Sequence, residues 1–236
     1  MSAEWTADEM MAVEAARRLA NGTVCFVGIG LPSLAANLAR RTTNPGLVLI
    51  YESGTIGAKP TVLPLSIGDG ELAETADAVV SVPEMFAYWL QGGRIDVGFL
   101  GAAQIDRHGG LNSTVIGPYD SPTVRLPGGG GAPEIATGVR DVFVMLRQSP
   151  RAFVPSLDFT TSLGDRVRVV VTDLGILEPR EGELTLVAVH PGADPEQARA
   201  ATGWELRVAG DVRETEPPSE TELSALRALR TKGAAA

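Results

Sequence analysis

Apolar positions recur along this chain in two different periods, and their succession predicts a strand–helix–strand opening. Met10, Val13, Ala16 and Leu19 fall at helical spacing behind Thr6-Ala7-Asp8-Glu9, which has capping-box form. A helix over about residues 6–20 follows, stopped by Asn21-Gly22. Residues 23–27 then read as a buried strand, Gly28-Ile29-Gly30-Leu31-Pro32 as a turn, and 33–41 as a helix. Pro32 suits the first helical turn, where its missing N–H costs nothing. Asn44-Pro45-Gly46 turns the chain into a second apolar run, Leu47-Val48-Leu49-Ile50. Strand, helix and strand in this order predict a parallel pair with a helical crossover.

Residues 54–140 are rich in glycine and proline and broken into short apolar runs such as Val97-Gly98-Phe99-Leu100, which favours strands and loops over long helices. Residues 142–146, 167–171 and 184–189 are strand candidates rich in β-branched side chains. Residues 194–201 and 219–230 read as helices, the second opening on Ser219 with Glu222 three positions on. Between them, Trp204-Glu205-Leu206-Arg207-Val208 alternates like a strand. No internal repeat and no linker interrupts this order. The expectation is a single α/β domain over residues 1–236, with an open, mostly parallel sheet flanked by helices.

Composition narrows the function classes. With 236 residues, 44% hydrophobic and 21% charged, the chain has the length and balance of a globular protein with a sizeable core. A net charge of −9 argues against a nucleic-acid or anionic-membrane partner. No apolar run approaches membrane-spanning length, and the amino terminus lacks a secretory pattern. The single cysteine, Cys25, cannot form an internal disulfide and sits in a strand candidate as a core thiol, so a cytoplasmic setting is expected. Only His108 and His190 accompany it, too few for a zinc-like ligand cluster. No metal and no resident cofactor are expected.

The candidate chemistry gathers at strand ends and glycine turns. Glu52, in Tyr51-Glu52-Ser53-Gly54-Thr55-Ile56-Gly57, stands where an apolar strand meets a flexible backbone. The carboxyl ends of strands are the usual ligand sites of open α/β sheets. Gly28-Ile29-Gly30 also follows a strand and opens a helix, which suits either an anion or a plain tight turn. It lacks the third glycine of the dinucleotide fingerprint, since position 33 is Ser33. Gly101-Ala102-Ala103-Gln104-Ile105-Asp106 allows close approach of a ligand or another backbone, with Gln104 offering a donor and an acceptor. Gly128-Gly129-Gly130-Gly131-Ala132-Pro133 precedes an ordered-looking Glu134-Ile135-Ala136-Thr137 and suits a backbone pocket for an oxyanion. Arg125 and Asn112 could hold a carboxylate or tie loops together. His108 reads as an exposed turn residue. A carboxylate attacks a carbonyl only when the leaving group is good, as in a thioester, so the residues lead to activated-acyl chemistry.

Taken together, the segments resemble the β subunit of a class I CoA-transferase, closest to the glutaconate type. The resemblance rests on Asp8-Glu9-Met10, Val27-Gly28-Ile29-Gly30-Leu31-Pro32, Glu52-Ser53-Gly54, Leu65-Ser66-Ile67-Gly68-Asp69 and Gly101-Ala102-Ala103-Gln104-Ile105-Asp106. It continues through Asn112-Ser113-Thr114, Gly129-Gly130-Gly131-Ala132, Val171-Thr172-Asp173-Leu174-Gly175-Ile176-Leu177 and Thr202-Gly203-Trp204-Glu205-Leu206. It implies the NagB/RpiA/CoA-transferase type of fold, an α-subunit partner in an α2β2 heterotetramer, and a site at the subunit interface. Glu52 is then the nucleophile of a ping-pong reaction through a glutamyl-CoA thioester, and Gly131, with Gly130 beside it, the oxyanion loop. Gly28, Gly30, Ser53, Gly54, Gln104 and Gly129 are expected to meet substrate or CoA, which enters as a substrate. The motif is Glu-Ser-Gly, as in the glutaconate-like branch, where related 3-oxoacid enzymes carry Glu-Asn-Gly. Ring-opening hydrolases of this fold lose the glutamate and decarboxylases replace it with cysteine, so a retained Glu52 favours transfer over those readings and over a scaffolding subunit. An acyl-CoA hydrolase using Glu52 as general base is the remaining alternative.

Overall fold

The structure, a computed structural model, describes residues 5–231. It resolves into two compact units, one built on the chain up to Phe99 with residues 138–140 and the segment from Pro218, the other on residues 100–137 and 141–217.

In the first unit, Thr6 caps α1 (Ala7–Arg17). Its side chain accepts the Glu9 N–H, and the Glu9 carboxylate accepts the Thr6 N–H. The helix ends at Arg17, three residues short of the expected stop, because residues 18–22 turn and the Asn44 amide donates to the Leu19 carbonyl. β1 (Val24–Phe26) leads through α2 (Leu31–Arg41) to β2 (Val48–Ile50), and the two strands pair in parallel. The helical crossover is therefore present, with Pro32 in its first turn as expected. β3 (Thr55–Ile56) runs antiparallel to β2, and after the short α3 (Gly70–Glu74), β4 (Ala78–Val79) runs antiparallel to β3. Ser81 caps α4 (Val82–Glu84), which continues as a π-helical stretch over Met85–Leu90. β5 (Val97–Leu100) then returns to the other side of β1, again in parallel. The order β5-β1-β2-β3-β4 thus reverses direction at β1.

In the second unit β6 (Gln104–Ile105) pairs with β7 (Leu111–Asn112), and β8 (Val115–Ile116) with β9 (Val124–Arg125), as two small hairpins. α5 (Ala132–Gly138) precedes β10 (Asp141–Met145), which is parallel to β11 (Val167–Val171). β12 (Gly175–Arg180) and β13 (Glu183–Val189) form an antiparallel meander on β11. α6 (Pro195–Ala200), capped by Asp194, carries the chain to β14 (Arg207–Glu214), parallel to β13. The strand expected at 204–208 begins only at Arg207. The alternation in front of it comes from Trp204, which stacks on Phe153 at 5.8 Å, and from Leu206, both buried without pairing in a ladder. No helix among the described residues is long and apolar enough to cross a membrane.

α7 (Glu220–Thr231) belongs to the first unit and packs on α1 and α2. Two ion pairs tie it to α1. Arg17 grips the Glu222 carboxylate through two nitrogens at 2.8 and 2.7 Å, and Arg227 Nε reaches Glu9 at 2.8 Å. The Arg227 hydrogen bond, helped by the Thr6 N–H and opposed by burial, lowers the Glu9 carboxyl from its ordinary 4.5 to about 2. A lowered carboxyl stabilises the fold above the unfolded value and loses that contribution as pH falls through the folded one. Arg227→Met is therefore expected to lower the melting temperature at pH 7. The deficit should shrink as pH falls from 4.5 towards about 2, and calorimetry across that range would show it. A deficit that stays constant down to the lower limit would refute this role for the pair.

Candidate active site

β1 and β2 end level with each other, Phe26 opposite Ile50, and β5 lies in parallel on the far side of β1. The loops leaving β1 and β2 therefore emerge on one edge of the first unit, where the strand order reverses. In an open α/β sheet this is the crevice that binds ligands.

After β1 the chain runs through Gly28-Ile29-Gly30 into α2. Gly30 is the N-cap, held at φ +85° with no side-chain cap over the first turn. Gly28 faces open space, for a Cβ placed there would meet nothing within 4 Å. The segment thus combines an exposed helix start with a backbone that a ligand can approach.

After β2 the chain folds into a tight turn around Glu52. The Tyr51 N–H donates to the Thr55 carbonyl at 3.1 Å, and the Gly54 N–H donates to the Tyr51 carbonyl at 3.0 Å. Val80 crosses over the turn and donates its N–H to the Gly54 carbonyl at 2.9 Å. Gly54 has φ +100°, and a Cβ there would lie 1.9 Å from the Val80 carbonyl oxygen. Only glycine satisfies both constraints.

Glu52 is half-buried, and its carboxylate has no hydrogen-bond or ion-pair partner among the described residues. Beside it, the Ser53 and Thr55 hydroxyl oxygens are buried without partners. Partially desolvated and not spent on an internal salt bridge, the carboxylate is available to an incoming electrophile. Of the two expected neighbours, Gly54 shapes the turn, and Ser53 lies within it with its hydroxyl unpartnered among the described residues.

Three neighbours lie outside the expectations drawn from sequence. Tyr51 is fully buried, and its phenol oxygen lies 3.0 Å from Ser33 Oγ and accepts from Asn37 Nδ2 at 3.2 Å. Burial raises the Tyr51 phenol, against the pull of these two hydrogen bonds. Ser33 and Asn37 are four residues apart on α2, a spacing that puts two polar groups on one helical face and was the available signal.

The second unit holds the other expected residues. Gln104 is buried, and both ends of its amide are taken: Nε2 donates to Asp158 at 2.9 Å, and Oε1 accepts from Asn112 at 2.7 Å. Asn112 also donates to the Val115 carbonyl, so of its two open roles it takes the loop-tying one. Arg125 does likewise, donating to the Tyr119 carbonyl and lying 5.2 Å from the centre of that ring. Gly128, at φ +98°, is tied to Ser113 by a bond in each direction. Gly129 and Gly131 accept from Ala132 and Ile135 at the start of α5, while Gly130 is exposed at φ +51°. The N–H groups of Gly130 and Gly131 have no acceptor among the described residues. Such a loop can donate to a negative oxygen.

The remaining reactive types are occupied. His108 is exposed and its Nδ1 pairs with the Gly182 carbonyl at 2.9 Å. Cys25 is fully buried, and that burial pushes its thiol far up, which makes it inert.

Comparison with known proteins shows the family and the fold. A family model described as Coenzyme A transferase matches residues 8–199. The chain is 59% identical over 249 residues to the B subunit of 3-oxoadipate CoA-transferase from Pseudomonas knackmussii, spanning 98% of this chain and 96% of that one. It is 33% identical over 246 residues to the B subunit of glutaconate CoA-transferase from Acidaminococcus fermentans, spanning 94% and 91% respectively. The crystal structure of glutaconate coenzyme A-transferase from that organism superposes with a TM-score of 0.90 at 31% identity, covering 98% of this chain and 97% of that one. The decarboxylase AibA/AibB superposes with a TM-score of 0.89 at 29% identity, with the same coverage.

Proposed function

The chain belongs to the coenzyme A transferase family as a β subunit, and from that premise we propose that Glu52 is the nucleophile through which CoA moves from an acyl-CoA to a carboxylic acid. The observation that carries this reading is a half-buried carboxylate with no internal partner among the described residues, presented by a glycine-enforced turn at the end of a parallel strand.

A Glu52 oxygen adds to the thioester carbonyl, and the carbonyl electrons move onto oxygen. Collapse expels the CoA thiolate and leaves a mixed anhydride. The thiolate then attacks the glutamyl carbonyl of that anhydride, releasing the donor acid as its carboxylate and forming a glutamyl-CoA thioester. The acceptor carboxylate repeats the sequence in reverse and leaves as the new acyl-CoA, regenerating Glu52. Each tetrahedral stage carries a negative oxygen, and the N–H groups of Gly130 and Gly131 are the assigned donors. Gly28, Gly30, Ser53, Gly54 and Gly129 are assigned to substrate and CoA contacts, whereas the Gln104 amide, expected to make such a contact, is taken by Asp158 and Asn112. CoA is a substrate, and the steps require no metal or resident cofactor.

The relatives named as B subunits support an α-subunit partner; the α2β2 heterotetramer and its cytoplasmic setting are part of the proposal. The family model runs through both compact units, which supports residues 1–236 acting as one β-subunit domain. Identity to the 3-oxoadipate relative well exceeds that to the glutaconate relative, so we assign a dicarboxylic 3-oxo acid as acceptor.

Incubating the α–β complex with an acyl-CoA and no acceptor is expected to leave a thioester on Glu52. Borohydride should reduce it to an alcohol, and mass spectrometry should locate the change at residue 52. Turnover should require the acceptor acid. Steady acyl-CoA hydrolysis without acceptor and without an adduct would replace this reading with the general-base hydrolase.

A further inference from the structure

Tyr51 contributes to the nucleophile turn at both ends. Its N–H donates to the Thr55 carbonyl, and its own carbonyl accepts the Gly54 N–H, so wherever Tyr51 is held, the Glu52 backbone is held too. The ring itself is anchored in α2. Its oxygen lies 3.0 Å from Ser33 Oγ and 3.2 Å from Asn37 Nδ2, and Asn37 Nδ2 donates in addition to the Ser33 carbonyl at 2.9 Å. All three side chains are fully buried, and Asn37 Oδ1 has no partner among the described residues.

For stability alone this is a poor use of a core. Phenylalanine with apolar neighbours would fill the same space without burying two hydroxyls and an amide, one atom of which is left unsatisfied. What a buried polar cluster supplies instead is a unique registration of the elements that carry it. Here those elements are the turn bearing Glu52 and the first two turns of α2, which begins directly after Gly28-Ile29-Gly30.

We propose that Tyr51, Ser33 and Asn37 are positioning residues that fix the Glu52 turn relative to the glycine loop at the start of α2, so that the carboxylate and the thioester bound beside that loop meet at reacting distance. The proposal rests on Glu52 being the nucleophile. A displacement of about 1 Å at a reacting atom can cost about 100-fold in rate, so a modest loosening of this anchor has a measurable effect.

The test uses the assembled α–β complex. Tyr51→Phe is expected to lower kcat by about 10- to 100-fold, to change KM for the acyl-CoA less than about twofold, and to slow single-turnover adduct formation on Glu52 by the same factor as kcat. Ser33→Ala should behave alike, and the double variant should lose little beyond either single one, as expected for residues acting as a unit. Tyr51→Phe/Ser33→Ala/Asn37→Leu removes every polar partner, so its melting temperature should recover relative to Tyr51→Phe while kcat stays low. A kcat that recovers with the melting temperature overturns the proposal, as does a Tyr51→Phe enzyme with unaltered rates or a defect in KM alone. A wild-type complex that forms the adduct beside an unaltered Tyr51→Phe removes only the positioning role. A turning-over wild-type complex with no adduct removes the nucleophile, and the positioning role with it.

Discussion

Glu52→Gln is expected to lower turnover of the α–β complex by about 10⁴-fold or more, with assembly and melting temperature close to those of the wild type. Glutamine keeps the volume and planarity of the side chain but removes the charge that attacks the thioester. Loss of a covalent nucleophile ordinarily removes most of the chemical acceleration. A 10⁴-fold loss corresponds to about 5 kcal/mol of transition-state stabilisation. Because the carboxylate has no partner among the described residues, its neutralisation breaks no internal ion pair, and the fold should hardly register it. Glu52→Asp keeps the charge but withdraws it by one methylene, so about a 100-fold loss is expected. Steady-state kinetics on purified complexes would decide. A glutamine variant within tenfold of wild type would remove Glu52 from the chemistry.

Gly54→Ala is expected to be the most damaging single-methyl change in the turn. The residue sits at φ +100°, and the added carbon would lie 1.9 Å from the Val80 carbonyl oxygen, a distance no relaxation of side chains can relieve. Backbone strain of this kind costs about 1–3 kcal/mol. Moving Val80 also threatens the bond from its N–H to the Gly54 carbonyl. A total of about 3 kcal/mol or more would lower the melting temperature by roughly 6–12 °C for a chain of this size. Activity should fall as well, since the same turn presents Glu52. Gly28→Ala is the informative contrast. Its Cβ would meet nothing within 4 Å, so the fold should be unaffected, within about 0.5 kcal/mol. A rise in KM for the acyl-CoA in that variant would then report ligand contact with the loop. Thermal denaturation of both variants checks the pair, and a Gly54→Ala protein as stable as wild type would contradict the turn geometry.

Much of the fold and of this turn is legible in the order of residues. The runs of apolar residues locate α1, β1, α2 and β2 within a few residues, because each run is bounded by a chemical stop. Glycine at 54 and 57 marks a turn, and the folded chain supplies the reason: φ +100° and +68° with neighbours packed against the missing side chains. Legibility fails where two causes give the same pattern. Trp204 and Leu206 alternate because both bury against other elements, not because a ladder runs through them. Gln104 reads as available because an amide in a small-residue segment carries no mark of its partners, and those partners, Asn112 and Asp158, are 8 and 54 residues away. The resemblance to the glutaconate type identifies the family, and a relative at 59% identity is named as a subunit of a 3-oxoadipate CoA-transferase.

The sequence by itself determined the strand–helix–strand opening, the glutamate at the end of its second strand and the glycine turns, since propensity, capping and φ restrictions are local properties. Only the tertiary structure decided which of those residues are free and which are committed. Glu52 is left without a partner among the described residues, Gln104 is consumed by two, and Tyr51 is anchored to Ser33 and Asn37 across 18 and 14 residues of chain. Whether a polar group meets water, a ligand or a buried neighbour depends on what packing brings beside it, and no local pattern contains that information.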